Sequence, residues 1–192
     1  RLRESTRLLE TALRDFPDRD DNDALLYQLA IAYDTIGRPE DSIAALERLA
    51  ERHPESRHIV ETQFRLGEHY FAYARYSEAE AAYDVVIEHP DNLEYRARSR
   101  YKRGWARFKQ ELYWEALEDF YYVLDYFDDV ARHAPLDPAD RKLNADCERA
   151  LALSFSYLGG RIAITDYFAY DPAHPGAARG HRVLGDLYAR QG

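Results

Sequence analysis

Small residues recur along the chain at an interval of 37 positions, and this interval constrains the fold more than any single motif does. One set of equivalent positions holds glycine or alanine: Ala30, Gly67 and Gly104. Two more sets with the same interval hold small or aromatic side chains, namely Ser42, Ala79 and Ala116, and Tyr27, Phe64 and Tyr101. A fixed interval of about 20 to 50 residues is typical of chains that stack one supersecondary unit. The sequence therefore predicts a repeat architecture.

Each repeat has the pattern of two amphipathic helices. In residues 23–56, apolar side chains recur at intervals of three and four, Gly37 and Pro39 interrupt the pattern, and the spacing then resumes. This pattern predicts two helices joined by a tight turn, with Asp23 as the N-cap of the first helix. One hairpin of this size cannot bury its apolar face alone, so neighbouring hairpins must cover it. The small residues are expected where the two helices cross closely.

The residues that follow this interval resemble a known family. In two successive units they are Leu29, Ala30, Tyr33, Ser42, Leu46 and Pro54, and then Leu66, Gly67, Tyr70, Ala79, Tyr83 and Pro90. This order of a Leu-small pair, an aromatic, a second small residue, a large residue and a proline resembles the tetratricopeptide repeat (TPR). The resemblance implies an all-α fold, a TPR-type α-solenoid of antiparallel helix hairpins that forms a right-handed superhelix.

The resemblance covers nearly the whole chain and predicts where the repeats lie. The half repeats at the two ends indicate a piece of a longer protein. The interval lengthens once, to the 48 positions between Gly104 and Ala152, which predicts a prolonged helix, a loop at 134–137 and a long helix that begins with Pro138. The predicted divisions are the second helix of a preceding repeat (1–17), three repeats (23–56, 60–93 and 97–130), an insertion (131–143), a degenerate repeat (144–175) and the first helix of a further repeat (178–192).

Composition narrows the classes of partner. The net charge is −9 and the isoelectric point is near 5.3, which disfavours nucleic acid or an anionic membrane as the main partner. No apolar run approaches the roughly 20 residues that span a bilayer, so no direct membrane insertion is expected. With 46% apolar and 32% charged residues, the chain has enough apolar material for packed helices. The oligomeric state stays open.

No pattern in the sequence predicts catalysis, a cofactor or a metal site. The single cysteine, Cys147, has no histidine near it in sequence and is expected to be a small packing residue. The carboxylates around Asp18 and Asp20 resemble the start of a calcium loop, but Asp23 replaces the required glycine and Leu29 the bidentate glutamate. The chain is therefore expected not to be an enzyme.

The strongest charge feature lies in the third complete hairpin. Residues 96–109 carry seven cations and no acid, and the next helix is acidic. Arg103 stands where the TPR pattern has leucine. Two interpretations stay open. The opposite charges pair within the hairpin, or Arg98, Lys102 and Lys109 face a groove and contact an acidic segment of a partner.

In the TPR family the first helices of successive repeats line a concave groove that binds peptides or protein segments. The matching positions, which the resemblance nominates as the binding site here, are Tyr27, Ile31, Asp34, Phe64, Glu68, Phe71, Arg98, Tyr101, Trp105, Phe108 and Lys109. An aromatic at several of these positions can also serve packing alone. The expected partner is a protein or peptide.

The repeat interval and the long turn at 53–58 resemble an envelope branch of the family. That branch includes the lipoprotein of outer-membrane β-barrel assembly and the periplasmic partner of the Tol system. It implies an interaction scaffold in a bacterial cell-envelope complex, periplasmic or associated with the outer membrane, with the cytoplasm as the alternative. Two other functions stay open: a regulatory or substrate-docking domain of a larger enzyme, and a nucleic-acid binder, which the acidic charge disfavours.

Overall fold

The computed structural model describes residues 2–90 and 95–191 and shows α-helices joined by turns, with no strand in these ranges. The helices are α1 (Leu2–Asp15), α2 (Asn22–Thr35), α3 (Pro39–Arg52), α4 (Ile59–Ala72), α5 (Tyr76–Glu88), α6 (Arg96–Lys109), α7 (Tyr113–His133), α8 (Pro138–Tyr157), α9 (Arg161–Tyr167) and α10 (Pro175–Gln191). The all-α fold of sequential helix hairpins that the sequence predicts is confirmed.

The helices form two compact units, residues 1–95 and 96–192. In the first unit each helix from α1 to α5 packs against the next, around a core that includes Leu26, Leu46 and Leu49. In the second unit α6 packs against α7, α7 against α8, and α8 against α10, around a core that includes Phe120 and Phe155. The division of these helices into repeats stays a prediction.

The small residues at the 37-residue interval lie where the two helices of a hairpin cross. A Cβ added to Gly67 would lie 2.5 Å from Cε1 of Tyr83, and one added to Gly104 would lie 2.7 Å from Cε1 of Phe120. Both rings are fully buried, so neither can move aside. The equivalent positions of the first hairpin hold Ala30 and Leu46, both fully buried, so there a smaller partner side chain accompanies the extra Cβ.

The turns inside the hairpins repeat the same backbone geometry. Gly37, Ala74 and Glu111 are 37 positions apart, and their φ angles are 73°, 58° and 65°. In each turn the next residue donates its backbone N–H to the carbonyl five positions earlier, for example Arg38 to Tyr33 at 2.9 Å. This left-handed residue with its 6→1 hydrogen bond ends the first helix and reverses the chain. Only one of the three turns has the glycine that favours this conformation.

A tyrosine–glutamate hydrogen bond also repeats within the first unit. Tyr33 on α2 donates its hydroxyl to Glu10 on α1, and Tyr70 on α4 donates to Glu47 on α3, both at 2.7 Å. An arginine guanidinium lies over each ring, Arg38 at 4.6 Å and its equivalent Arg75 at 4.3 Å. These bonds join the first helix of one hairpin to the preceding helix, so they help to fix how consecutive hairpins stack.

The lengthened interval has the form that the sequence predicts. Helix α7 continues to His133, residues 134–137 are not helical, and α8 begins at Pro138. The Asp137 carboxylate caps α8 by accepting a hydrogen bond from the backbone N–H of Asp140 at 2.8 Å. The following helix, α9, has only seven residues.

The predicted N-cap role of Asp23 is wrong. Helix α2 begins at Asn22, and the Asp23 carboxylate accepts hydrogen bonds from the Ser56 hydroxyl at 2.6 Å and from the backbone N–H of Ala24 at 2.7 Å. The bond from Ser56 holds the pKa of Asp23 below its ordinary value. Asp23 therefore joins the start of α2 to the turn that precedes α4, a contact over 33 residues that local sequence does not reveal.

Candidate partner-binding surface

Five aromatic side chains of the second unit form a continuous line, here called the aromatic ladder. They lie on α6, at the start of α7 and at the end of α8: Tyr101, Trp105, Phe108, Tyr113 and Tyr157. The ring centroids are 6.4 Å apart for Tyr101 and Trp105, and 5.2 Å for Trp105 and Phe108. Phe108 then meets Tyr113 at 5.1 Å and Tyr157 at 5.5 Å, both edge to face. The ladder therefore connects the first helices of two consecutive hairpins.

One end of the ladder rests on the core and the other end is exposed. Tyr101 and Trp105 pack against the buried Phe120, with centroid distances of 6.4 and 5.9 Å. Burial raises the pKa of the Tyr101 hydroxyl above its ordinary value. Tyr157, in contrast, is 65% exposed, and its ring stacks on Tyr113 at 5.2 Å. The inner rings thus hold the outer ones in fixed positions at the surface.

The sequence prediction missed two members of this ladder. Tyr157 occupies a groove-facing position of the degenerate repeat, but no groove residues were assigned to that repeat. Tyr113 lies at the first residue of α7, and the pattern of the first helices gives no sign of it. The family pattern could have found Tyr157, whereas only the packing of α7 on α6 reveals Tyr113.

Much of the basic charge of α6 is directed toward one buried carboxylate. Asp119 on α7 is fully buried and accepts hydrogen bonds from three arginines of α6. Arg103 contacts both of its oxygens, at 2.9 and 2.6 Å, while Arg100 and Arg107 contact one each, at 3.1 and 3.0 Å. Arg100 also lies 4.4 Å from the ring centroid of Tyr122. The interpretation of charge pairing within the hairpin is confirmed for these three arginines.

Other cations of α6 remain at the surface beside the ladder. Arg98 and Lys109 are exposed, and Lys102 is half-buried. Arg103, which replaces the leucine of the TPR pattern, is only 8% exposed and fills that space with a charge paired to Asp119. The surface charge near the ladder therefore comes from the two ends of α6, whereas its middle is directed into the hairpin.

The nominated residues of the first unit mostly contact each other and their neighbours. Tyr27 is buried and stacks on His58 with centroids 4.4 Å apart, and burial raises its pKa to about 12. Asp34 lies 3.2 Å from Nε2 of His69 and 3.8 Å from Arg65. The other nominated side chains of this unit are all half-buried: Ile31, Phe64, Glu68 and Phe71. This surface is more polar and more closely bonded than the ladder.

Phe64, Glu68 and Phe71 also take part in packing. Phe64 meets Tyr95 at a centroid distance of 5.1 Å, and Phe71 meets Tyr76 at 5.3 Å. Glu68 accepts the hydroxyl hydrogen bond of the fully buried Tyr83 at 2.8 Å, and burial raises the pKa of that tyrosine above its ordinary value. The structure thus assigns each of these three side chains a role in holding α4 against its neighbours.

The chemistry of the described residues does not point to a catalytic or metal centre. Cys147 is fully buried, and burial raises the pKa of its thiol above the ordinary value, which disfavours the reactive thiolate. Within residues 2–90 and 95–191, no three His, Cys, Asp or Glu side chains are grouped to hold a metal ion. In the same ranges, no helix combines the length and the apolar character needed to cross a membrane.

Comparison with known proteins supports the repeat assignment. Residues 1–61 match the family model described as tetratricopeptide repeat. Three solved structures are similar in fold. MamA matches with a TM-score of 0.60 at 18% identity over 96% of this chain and 89% of its own. A variant of the nearly identical TPR-like repeats of a Podosopora anserina kinesin light chain gives 0.58 at 19% identity, over 90% and 85%.

A MamA RS-1 double mutant gives a TM-score of 0.55 at 17% identity, covering 99% of this chain and 86% of its own. Among curated proteins, no sequence match is found. At these identities the structural likeness shows the fold alone, and the family match covers the first third of the chain. Together with the repeated crossings and turns, these findings show that the chain is a TPR-like helical repeat protein, a class that generally serves as a protein interaction module.

Proposed function

We propose that the chain is a non-catalytic interaction module and that the aromatic ladder binds a segment of a partner protein. The observation that carries this proposal is the exposed Tyr157, which stacks on Tyr113 and is linked through Phe108 to rings anchored on the core. Aromatic side chains that are already held in place lose little conformational entropy on binding. They are also enriched among the residues that dominate binding energy.

The charge beside the ladder indicates the chemistry of the partner segment. Arg98 and Lys109 are exposed at opposite ends of α6, so acidic side chains on a bound segment would meet them there. The nominated residues of the first unit form a second proposed contact region, from Tyr27 to Phe71. Because most of them are engaged in packing, they would contribute shape more than binding energy.

The test uses peptides that bind the chain, selected from a random peptide library displayed on phage. Tyr157→Ser should weaken the selected peptides by roughly thirtyfold, the effect of losing a contact worth about 2 kcal/mol. The matched control is Tyr170→Ser, because Tyr170 is fully exposed but lies outside the ladder. Tyr101 and Trp105 are poor test positions, since their loss would also remove packing against Phe120.

Binding is measured by fluorescence anisotropy of labelled peptides, and helicity by far-ultraviolet circular dichroism. Equal affinity for the wild type and for Tyr157→Ser, with Tyr170→Ser also unchanged, would refute the ladder as the binding surface. An equal loss in both variants would also contradict it, because the effect would not be specific to the ladder. A charge-reversing variant, Lys109→Glu, should further weaken those peptides that carry acidic residues.

We propose further that the protein serves a complex of the bacterial cell envelope, periplasmic or bound to the outer membrane. The supporting observations are the repeat interval of 37 and the long turn at 53–58 between consecutive hairpins. Fractionation of cells that express the native gene tests this location. Recovery of the protein in the periplasmic or outer-membrane fraction is expected, and recovery in the cytoplasm would overturn this part of the proposal.

A further inference from the structure

The second unit contains an apolar cleft, separate from the aromatic ladder, between α8 and α10. Its volume is about 210 Å³, and its apolar lining comes from both helices: Ala145, Ala152, Leu153, Val183 and Leu187. An apolar cavity of about 150 Å³ holds a benzene ring in another protein, so this cleft is large enough for one aromatic side chain. None of the five ladder residues lines it.

Four charged side chains also line the cleft, and their pairing is uneven. Glu148 contacts Arg179 and Arg182, and Asp186 lies 3.7 Å from Arg182. Both acids of the lining are therefore neutralised by arginines of α10. An acidic group on a ligand would meet little repulsion from them.

The two arginines of the lining differ from each other. Arg149 forms an ion pair with Asp146, one turn earlier on α8. Arg190, on the last turn of α10, has no acidic side chain within ion-pair distance among the residues that the structure describes, and it is exposed. The cleft thus combines an apolar floor with one cation that is not neutralised by a described acid.

We propose that this cleft binds an aromatic side chain of the partner segment whose neighbouring residue is aspartate or glutamate. The ring fills the space between Leu153 and Leu187, and the adjacent carboxylate pairs with Arg190. This inference deepens the function proposed above and rests on it, because α6, α8 and α10 would then contact one extended segment. The apolar floor contributes affinity, and the single cation selects an acidic neighbour over a neutral one.

The experiment uses three matched peptides and the whole chain labelled with ¹⁵N. The probes are acetyl-Gly-Gly-Phe-Asp-Gly-Gly-amide, the same peptide with Asn in place of Asp, and the same peptide with Ala in place of Phe. Titrations are followed by the amide shifts of α8 and α10. The Phe-Asp peptide should bind with a dissociation constant on the order of millimolar, as expected for a small flexible ligand. The Asn peptide should bind about fivefold more weakly, and the Ala peptide should produce no saturable shifts.

Three variants separate the parts of the proposal. Arg190→Gln should make the Asp and Asn peptides bind equally, whereas Arg161→Gln, an exposed arginine of α9 outside the cleft, should keep the fivefold preference. Ala145→Leu should fill the cleft and abolish binding of both peptides. Ala145 is exposed on a helix and leucine is a good helix former, so this variant should fold normally.

The proposal is overturned if the shifts lie outside α8 and α10, or if the preference for Asp survives Arg190→Gln. It is also overturned if Ala145→Leu binds like the wild type. These outcomes are independent of the ladder. If Tyr157→Ser weakens the library peptides but the Phe-Asp peptide does not use the cleft, only the cleft proposal fails. If the cleft behaves as expected and Tyr157→Ser has no effect, only the ladder proposal fails.

Discussion

The crossing of Gly104 and Phe120 allows a quantitative test of the packing that forms the hairpins. A Cβ at position 104 would lie 2.7 Å from Cε1, 3.0 Å from Cζ and 3.1 Å from Cδ1 of Phe120. Real Cβ contacts are longer, so in Gly104→Ala either the ring or the helix must move. Phe120 is fully buried among core residues and has no free space to enter. We therefore expect Gly104→Ala to destabilise the second unit.

The size of the effect follows from two opposing contributions. Overpacking of a core costs about 1 to 3 kcal/mol, and the upper end applies because three ring atoms are affected. Alanine in place of glycine inside a helix stabilises by about 1 kcal/mol. The expected net loss is about 2 kcal/mol. Gly185→Ala is the matched control, because nothing lies within 4 Å of its added Cβ, and it should stabilise by about 1 kcal/mol.

A second substitution tests the cause directly. Phe120→Leu alone should cost about 1 kcal/mol, because it removes part of a buried ring. Combined with Gly104→Ala, it recreates the Ala–Leu pair that the first hairpin has at Ala30 and Leu46. The double variant should therefore lose no more than about 1 kcal/mol, less than the roughly 3 kcal/mol expected if the two effects were additive.

Unfolding in urea, followed by tryptophan fluorescence, measures these free energies. Both tryptophans, Trp105 and Trp114, belong to the second unit, so the signal reports on that unit alone. Additive losses in the double variant would refute the steric explanation. So would a Gly104→Ala variant that is stabilised as much as Gly185→Ala.

Two further predictions concern charge burial and turn geometry, and the same fluorescence assay measures both. Asp119→Ala should cost about 3 kcal/mol, the lower end of the range for breaking a buried ion pair, because its arginine partners are 10 to 26% exposed and can regain water. Asp129→Ala, which removes only an exposed pair with Arg132, should cause no measurable loss. Glu111→Gly should stabilise by about 1 kcal/mol, because it relieves a φ of 65°. Glu115→Gly, inside α7, should destabilise by a similar amount. The reverse order within either pair would contradict the reasoning.

Much of the hairpin architecture follows from local sequence patterns. The alternation of apolar residues predicts each helix, and Gly37 with Pro39 predicts the turn between α2 and α3. The lengthened interval and Pro138 predict the start of α8, where the structure places it. These features depend on residues that are close in the chain, where spacing alone determines which side chains share a helix face.

The candidate surface is only partly predictable. The family pattern nominates Tyr101, Trp105 and Phe108, and the structure brings these three into one line of rings. The same pattern nominates Tyr27 and Glu68, which the structure places in contacts with His58 and Tyr83. A position on a groove-facing helix side therefore does not decide whether a side chain faces a partner or a neighbouring helix.

The sequence by itself determined that this chain forms helix hairpins with small residues at their crossings, because helix periodicity and turn residues act over a few positions. Only the tertiary structure decided which charges are neutralised and which rings are exposed. Asp119 meets Arg103 across 16 residues, and Ser56 meets Asp23 across 33. Such pairs depend on how two helices are rotated against each other, a quantity that the packing of the whole unit sets and that no local spacing records.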